Sequence, residues 1–146
     1  MPQIWQCSLE SIKKRVLLVD LDLGLANVDV LLGFHAEYTL HDVIAGHKKI
    51  KDIVLHGPDG IMVVPASSGI EELANLNKIQ KEQLLNGFSG LDEEVDIVIV
   101  DTGAGISPNV VSFVLASNEI LLVTTPEPTA ITDAYAMIKV LSKKKG

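Results

Sequence analysis

Two runs of branched aliphatic residues in this chain each end in aspartate and then glycine. The first reads Val16-Leu-Leu-Val-Asp20-Leu-Asp22-Leu-Gly24 and continues Leu-Ala-Asn27-Val-Asp29; the second reads Ile97-Val-Ile-Val-Asp101-Thr-Gly103-Ala-Gly105. Apolar runs without polar alternation are expected of strands buried on both faces, and such strands belong to parallel sheets covered by helices. In open sheets of that kind, ligands bind outside the carboxyl ends of the strands. Both runs deliver carboxylates to that edge, where they can hold Mg²⁺ or orient a water toward phosphorus. Gly103 and Gly105 let the backbone come close, so that amides can meet an anionic oxygen.

The composition fits such a core. The chain has 146 residues, 47% of them hydrophobic and only 4% aromatic, so the core is aliphatic. That length predicts one domain, 1–146, with a divergent stretch over 1–13. A net charge of −7 argues against broad binding to a nucleic-acid backbone, and no specific nucleic acid is expected. It argues equally against a purely electrostatic hold on anionic lipid. One cysteine, Cys7, permits no internal disulfide. No apolar run approaches the ~18 residues of a membrane span. The first residues lack the charged and apolar regions of a signal peptide, so the expected location is cytoplasmic.

Along the chain, Val16–Val19, Ile61–Val64, Ile97–Val100 and Ile120–Val123 read as strands. Gly57-Pro-Asp-Gly60 is a turn. Helices are expected from Thr39 through Ala45, stopped by Gly46; from Leu76 to about Leu91; over Asn109 to Ala116; and from Thr129 to about Ser142. Shorter helical pieces fit Ser8 to Lys14 and Val28–Leu32. The alternation predicts an α/β fold: a mostly parallel sheet with flanking helices.

Each singled-out residue also has a plain structural reading. An aspartate after a strand can simply start a turn, and Asn27 can cap the helical turn after it. For a single aspartate the two readings are even; the combined arrangement at two strand ends favours the site. His35, His41, His47 and His56 lack metal-ligand spacing. Lys13-Lys14-Arg15 and Lys143–Lys145 read as solvated charge.

These segments resemble the MinD/ParA family of deviant-Walker ATPases. The stretch from Lys14 to Gly33 is similar to that family's first switch region, and Asp101-Thr-Gly-Ala-Gly-Ile106 to its Walker B strand and second switch. Leu40–Gly46, Pro65–Asn75 and Thr124–Tyr135 resemble the branch that regulates flagellar number. The resemblance implies a P-loop NTPase fold, and ATP with Mg²⁺ as cofactors. It implies Asp22 as the carboxylate positioning the attacking water, with Asp20 beside the metal. Asp101 would hold Mg²⁺ through a coordinated water. Gly105 would offer its amide to the γ-phosphate, and Asn27 would lie near the phosphates at the dimer face. It implies partners too: a second copy, a signal-recognition-type flagellar GTPase, and the inner membrane face reached through a C-terminal amphipathic helix.

The chain departs from that pattern at one decisive point. The family opens with a strand and a glycine-rich loop carrying Gly-Lys, and these 146 residues contain no Gly-Lys dipeptide. That loop supplies phosphate-cradling amides, a neutralising lysine and a hydroxyl for Mg²⁺. Gln3–Cys7 cannot serve as its strand, because a parallel crossover to Val16 needs about a dozen residues. The expectation is an incomplete ATPase domain, first strand, P-loop and C-terminal part absent, with weak or no ATP hydrolysis. The Ile97–Val100 strand is then expected at a sheet edge and prone to self-association.

Other functions remain open at this point. Asp20-Leu-Asp22 is similar to the paired aspartates of haloacid-dehalogenase-type phosphatases, in which one is nucleophile and the other general acid/base. The Gly-Thr that should follow is missing, and so is a later acidic pair placed to hold Mg²⁺. A receiver domain requires a shorter separation between Asp22 and Asp101. A non-catalytic interaction module is the third reading.

Overall fold

A computed structural model describes residues 14–21, 36–57, 60–65, 76–91 and 93–144. The chain divides into two compact units, Met1–Asp101 and Thr102–Gly146.

The first unit is built on β1, Val16–Leu21. Leu17 and Val19 are fully buried, and Val16 and Asp20 nearly so, which leaves neither face of the strand to water. That is the reason for its unbroken apolar sequence. On one side β1 pairs in parallel with β3, Met62–Val64, in the register Leu17 to Met62, Leu18 to Val63 and Val19 to Val64. A two-residue strand β2, Leu55–His56, adds to β3 antiparallel. The turn between β2 and β3 carries Gly60 at φ +78°, a left-handed conformation that favours glycine, and is closed by the Gly57 amide donating to the Ile61 carbonyl at 2.7 Å. On the other side of β1 lies β4, Ile97–Thr102, giving the sheet order β2-β3-β1-β4. The fold is therefore α/β with a mostly parallel sheet and flanking helices, as expected; the short β2 makes the sheet mixed. A strand as short as β2 carries no sequence period to read.

Among the described residues, three helices belong to this unit. Helix α1, Leu40–Ile44, follows Thr39, whose amide donates to the Asp42 carboxylate at 2.9 Å. Leu40 is fully buried, and its amide donates to the Pro65 carbonyl at 3.1 Å, tying the helix to the end of β3. Helix α2, Ile50–Ile53, buries Ile50 and Ile53. Helix α3, Lys78–Ser89, starts with a reciprocal cap: Asn77 accepts from the Gln80 amide at 3.0 Å, and Gln80 accepts from the Asn77 amide at 2.9 Å. It meets α2 through Gly87, where a methyl group would stand 2.9 Å from Ile50 Cδ1.

In the second unit, helix α4, Pro108–Ala116, has Pro108 in its first turn, and its Val110 amide donates to the Ser107 hydroxyl at 3.3 Å. Asn109, Val111 and Phe113 are its buried residues. Helix α5, Pro128–Lys144, buries Met137 and ends in Lys143 and Lys144, cations placed at the negative end of the helix dipole. It shows Ile131, Tyr135 and Ile138 to solvent. The strand expected at 120–123 does not form. A strand needs a neighbour for its amides and carbonyls, and these residues have none among the described elements: Leu121 and Val123 are each 79% exposed. The helical turns expected at Ser8 to Lys14 and Val28–Leu32 lie wholly or almost wholly outside the described residues.

Because β1 is the shared wall of the first core, Leu17→Ala should lower unfolding stability by about 2–5 kcal/mol, measured by urea denaturation. At the α2–α3 contact, Gly87→Val should also destabilise, by about 1–3 kcal/mol of overpacking against Ile50. A higher urea midpoint for that variant would show that the helices separate freely.

Candidate functional site

The site is set up at the opposite end of the sheet from its carboxylates. Arg15 immediately precedes β1, and Asp96 immediately precedes β4. The Arg15 amide donates to Asp96 Oδ2 at 2.8 Å, Nε donates to the same oxygen at 3.2 Å, and Nη2 to Oδ1 at 3.3 Å. Nη1 donates to the Glu93 carbonyl at 2.6 Å. In return the Arg15 carbonyl accepts from the amides of Asp96 and Ile97, at 2.9 and 3.1 Å. Two neighbouring strands that both begin at one junction must run the same way, so β4 is parallel to β1. The guanidinium fork and amide of Arg15 hold the Asp96 carboxyl down at about 2, well below its ordinary range. The same carboxylate raises Arg15 above its usual value, opposed by a smaller desolvation effect.

From that junction both strands run to their carboxyl ends, where Asp20 and Asp101 lie at the same edge of the sheet on adjacent strands. Their environments differ. Asp20 is 3% exposed, closed in beside the core, whereas Asp101 is open to solvent. Each has an interaction partner. Asp101 can therefore be reached by a hydrated cation, whereas Asp20 is shielded from solvent. In the second unit Gly105 has φ +91°, a conformation that L side chains rarely adopt, and open space surrounds the position of a missing Cβ. Asp22 and Asn27, the expected water-positioning and phosphate-side residues, lie outside the described residues.

Carboxylate oxygen is the donor type that Mg²⁺ prefers, and one or two protein carboxylates completed by waters and phosphate oxygens is its usual set with nucleotides. Asp20 and Asp101 fit that requirement. Among the described residues no group of three or more His, Cys, Asp or Glu side chains forms a dedicated metal cage. Arg15 and Asp96 were not among the expected site residues; Arg15 read as part of a solvated basic run. The available signal was positional: a cation and an anion, each just ahead of a strand that ends in aspartate.

Comparison with known proteins bears on the family and the fold. The AAA domain family matches residues 5–145. The antiactivator FleN of Pseudomonas aeruginosa is 49% identical over 139 residues, covering 95% of this chain and 50% of that protein. The flagellum site-determining protein YlxH of Helicobacter pylori is 37% identical over 131 residues, covering 90% and 45%. The cell division ATPase MinD of Pyrococcus furiosus superposes with a TM-score of 0.77 at 31% identity, over 94% of this chain and 58% of that one. MinD of Pyrococcus horikoshii, solved with Mg-ADP, gives 0.76 at 30% identity, over 94% and 56%.

This chain belongs to the AAA domain family, as a MinD/ParA-type protein with flagellar regulators among its relatives. It spans about half the length of the curated relatives it matches. The phosphatase reading of Asp20 and Asp22 finds no support among them. No described helix is long and apolar enough to cross a membrane.

The depressed Asp96 carboxyl makes stability depend on acid. A carboxyl whose folded value lies below its unfolded one contributes stability that is complete above the unfolded value, near 3.8, and lost as pH falls toward about 2. Asp96→Asn should flatten the acid limb of the stability profile in that window and leave the profile above pH 5 parallel to wild type, by chemical denaturation at stepped pH. At Gly105 the left-handed backbone predicts a loss of about 1–2 kcal/mol for Gly105→Ala, although nothing crowds the new methyl. Thermal unfolding followed through the second unit checks it.

Proposed function

We propose that this chain is a single, partial MinD-like ATPase domain contributing the carboxylate side of an ATP-dependent dimer switch that governs flagellar number or placement. The observation that carries this is the meeting of Asp20 and Asp101 at one sheet edge, on adjacent parallel strands. The likeness to a MinD solved with Mg-ADP and to two flagellar regulators supports it. Asp101 would hold Mg²⁺ through a coordinated water, with Asp20 beside the metal. Asp22 positions the attacking water, Asn27 lies near the phosphates at the dimer face, and the Gly105 amide meets the γ-phosphate. The metal, when bound, neutralises charge on the phosphate oxygens. A second copy is the expected partner, with a signal-recognition-type GTPase and the inner membrane face as further partners.

These 146 residues hold the acidic half of that chemistry and no Gly-Lys dipeptide. Carboxylates repel a polyphosphate unless lysine and a row of amides offset them. The chain alone is therefore expected to bind Mg-ATP weakly and to hydrolyse it slowly or not at all.

Calorimetric titration of the purified chain with Mg-ATP tests this. The expected result is no saturation in the micromolar range, with weak Mg²⁺ binding that Asp101→Asn abolishes. Micromolar Mg-ATP affinity would overturn the weak-binding reading. Mg²⁺ binding unchanged in Asp101→Asn would remove Asp101 from the metal site.

A further inference from the structure

We infer that Arg15 and Asp96 are positioning residues: their ion pair sets the register of β4 against β1 and thereby places Asp101 beside Asp20. The inference rests on the Mg-nucleotide reading for its purpose, while the register itself is measurable without any ligand.

Three observations carry it. Arg15 stands five residues before Asp20, and Asp96 stands five before Asp101. Strands rise about 3.3 Å per residue, so equal counts from one junction bring the two carboxylates to equal height. A slip of one residue would displace Asp101 by about 3.3 Å and turn it to the other face of the sheet.

Second, little else specifies that register. Among the described strands β4 pairs with β1 alone. Its sequence Ile97-Val-Ile-Val repeats every two residues, so a two-residue slip returns the same side-chain types to the same faces. Burial does not choose either, because consecutive residues Val98 and Ile99, which point to opposite faces, are 40% and 39% exposed. Register is weakly specified wherever neither face is strongly buried. A polar contact that only one alignment can make removes the ambiguity.

Third, the contact is specific in a way a simple charge pair is not. Asp96 accepts from the Arg15 main chain as well as from Nε and Nη2, and the Arg15 carbonyl returns bonds to two consecutive amides. Sliding either strand breaks all of these together. The side chains are 51% and 30% exposed, and ion pairs of that kind contribute little to global stability. A purely stabilising role therefore predicts a change in stability with the register unchanged, whereas a positioning role predicts a large effect on the carboxylate end.

The test uses the 146-residue chain, with Asp96→Ala and, as a second variant should that one fail to fold, Arg15→Gln. Cross-strand nuclear Overhauser contacts between β1 and β4 read the register, and Mn²⁺ titration reads the carboxylate edge through broadening of the Asp20 and Asp101 amide signals. In wild type both signals should broaden with one midpoint. In either variant the cross-strand contacts should change or split into several sets. The Mn²⁺ midpoint should rise about ten-fold or more, the scale on which supporting residues tune a metal site. Arg15→Lys should restore part of the single register. Unchanged cross-strand contacts in the folded variants would overturn the inference. Failure of Mn²⁺ to broaden either signal in wild type would count against the Mg-nucleotide reading instead, with the register judged from the cross-strand contacts alone.

Discussion

The structure depends on the burial of β1 from both sides. Leu17 and Val19 are closed to water, and the strand lies between β3 and β4 in the sheet. An amide in such a place has no solvent to fall back on, so each backbone group must find a partner in a neighbouring strand. This forces the hydrogen-bonded register with Met62–Val64 and fixes where β1 ends. Its last turn of sequence then delivers Asp20 to the rim of the core, where a carboxylate is tolerated only with a partner, and Asp20 has one.

β4 is held by different forces. Its composition is as apolar as that of β1, yet Val98 and Ile99 stay partly exposed on opposite faces. Hydrophobic burial fixes a strand's alignment only when one pattern of faces is much better than its shifted copy. For Ile-Val-Ile-Val it is not, and the alignment passes to the polar junction at Arg15 and Asp96. Two adjacent strands thus reach the same edge by two routes, one through packing and one through directed hydrogen bonds.

The parts of the fold that sequence made legible are those whose cause is local. Thr39 and Gly46 bound a short helix because capping and a left-handed glycine act within one turn, and Gly46 indeed has φ +79°. The helices expected from Asn109 and Thr129 each begin one residue earlier, at Pro108 and Pro128, because proline suits a first turn. The failures are non-local. β2 is two residues long and exists only because β3 is beside it. Ile120–Val123 has the composition of a strand and lacks a described neighbour, so composition alone misleads there. In the site, Asp20 and Asp101 were legible as strand ends, and their adjacency required the sheet order. Arg15 and Asp96 were not legible, because 80 intervening residues separate two charges whose meaning appears only once the strands lie side by side.

The contrast between Asp20 and Asp101 bears on what such an edge can do. If both carboxylates were exposed, water would screen their mutual field and a cation would gain little from the pair. If both were buried, bringing in a hydrated Mg²⁺ would require stripping its waters, which that ion resists. One buried and one open carboxylate avoids both costs. An ionised carboxylate in the buried place would act through a less polarisable medium, so its field would reach the open side with less loss. Under the proposed metal role, the open carboxylate would meet the ion with its water shell intact. Such an arrangement favours outer-sphere binding and leaves the ion's remaining positions to phosphate oxygens. It requires the two strand ends to stay level, which ties the proposed metal role to the junction at their far ends.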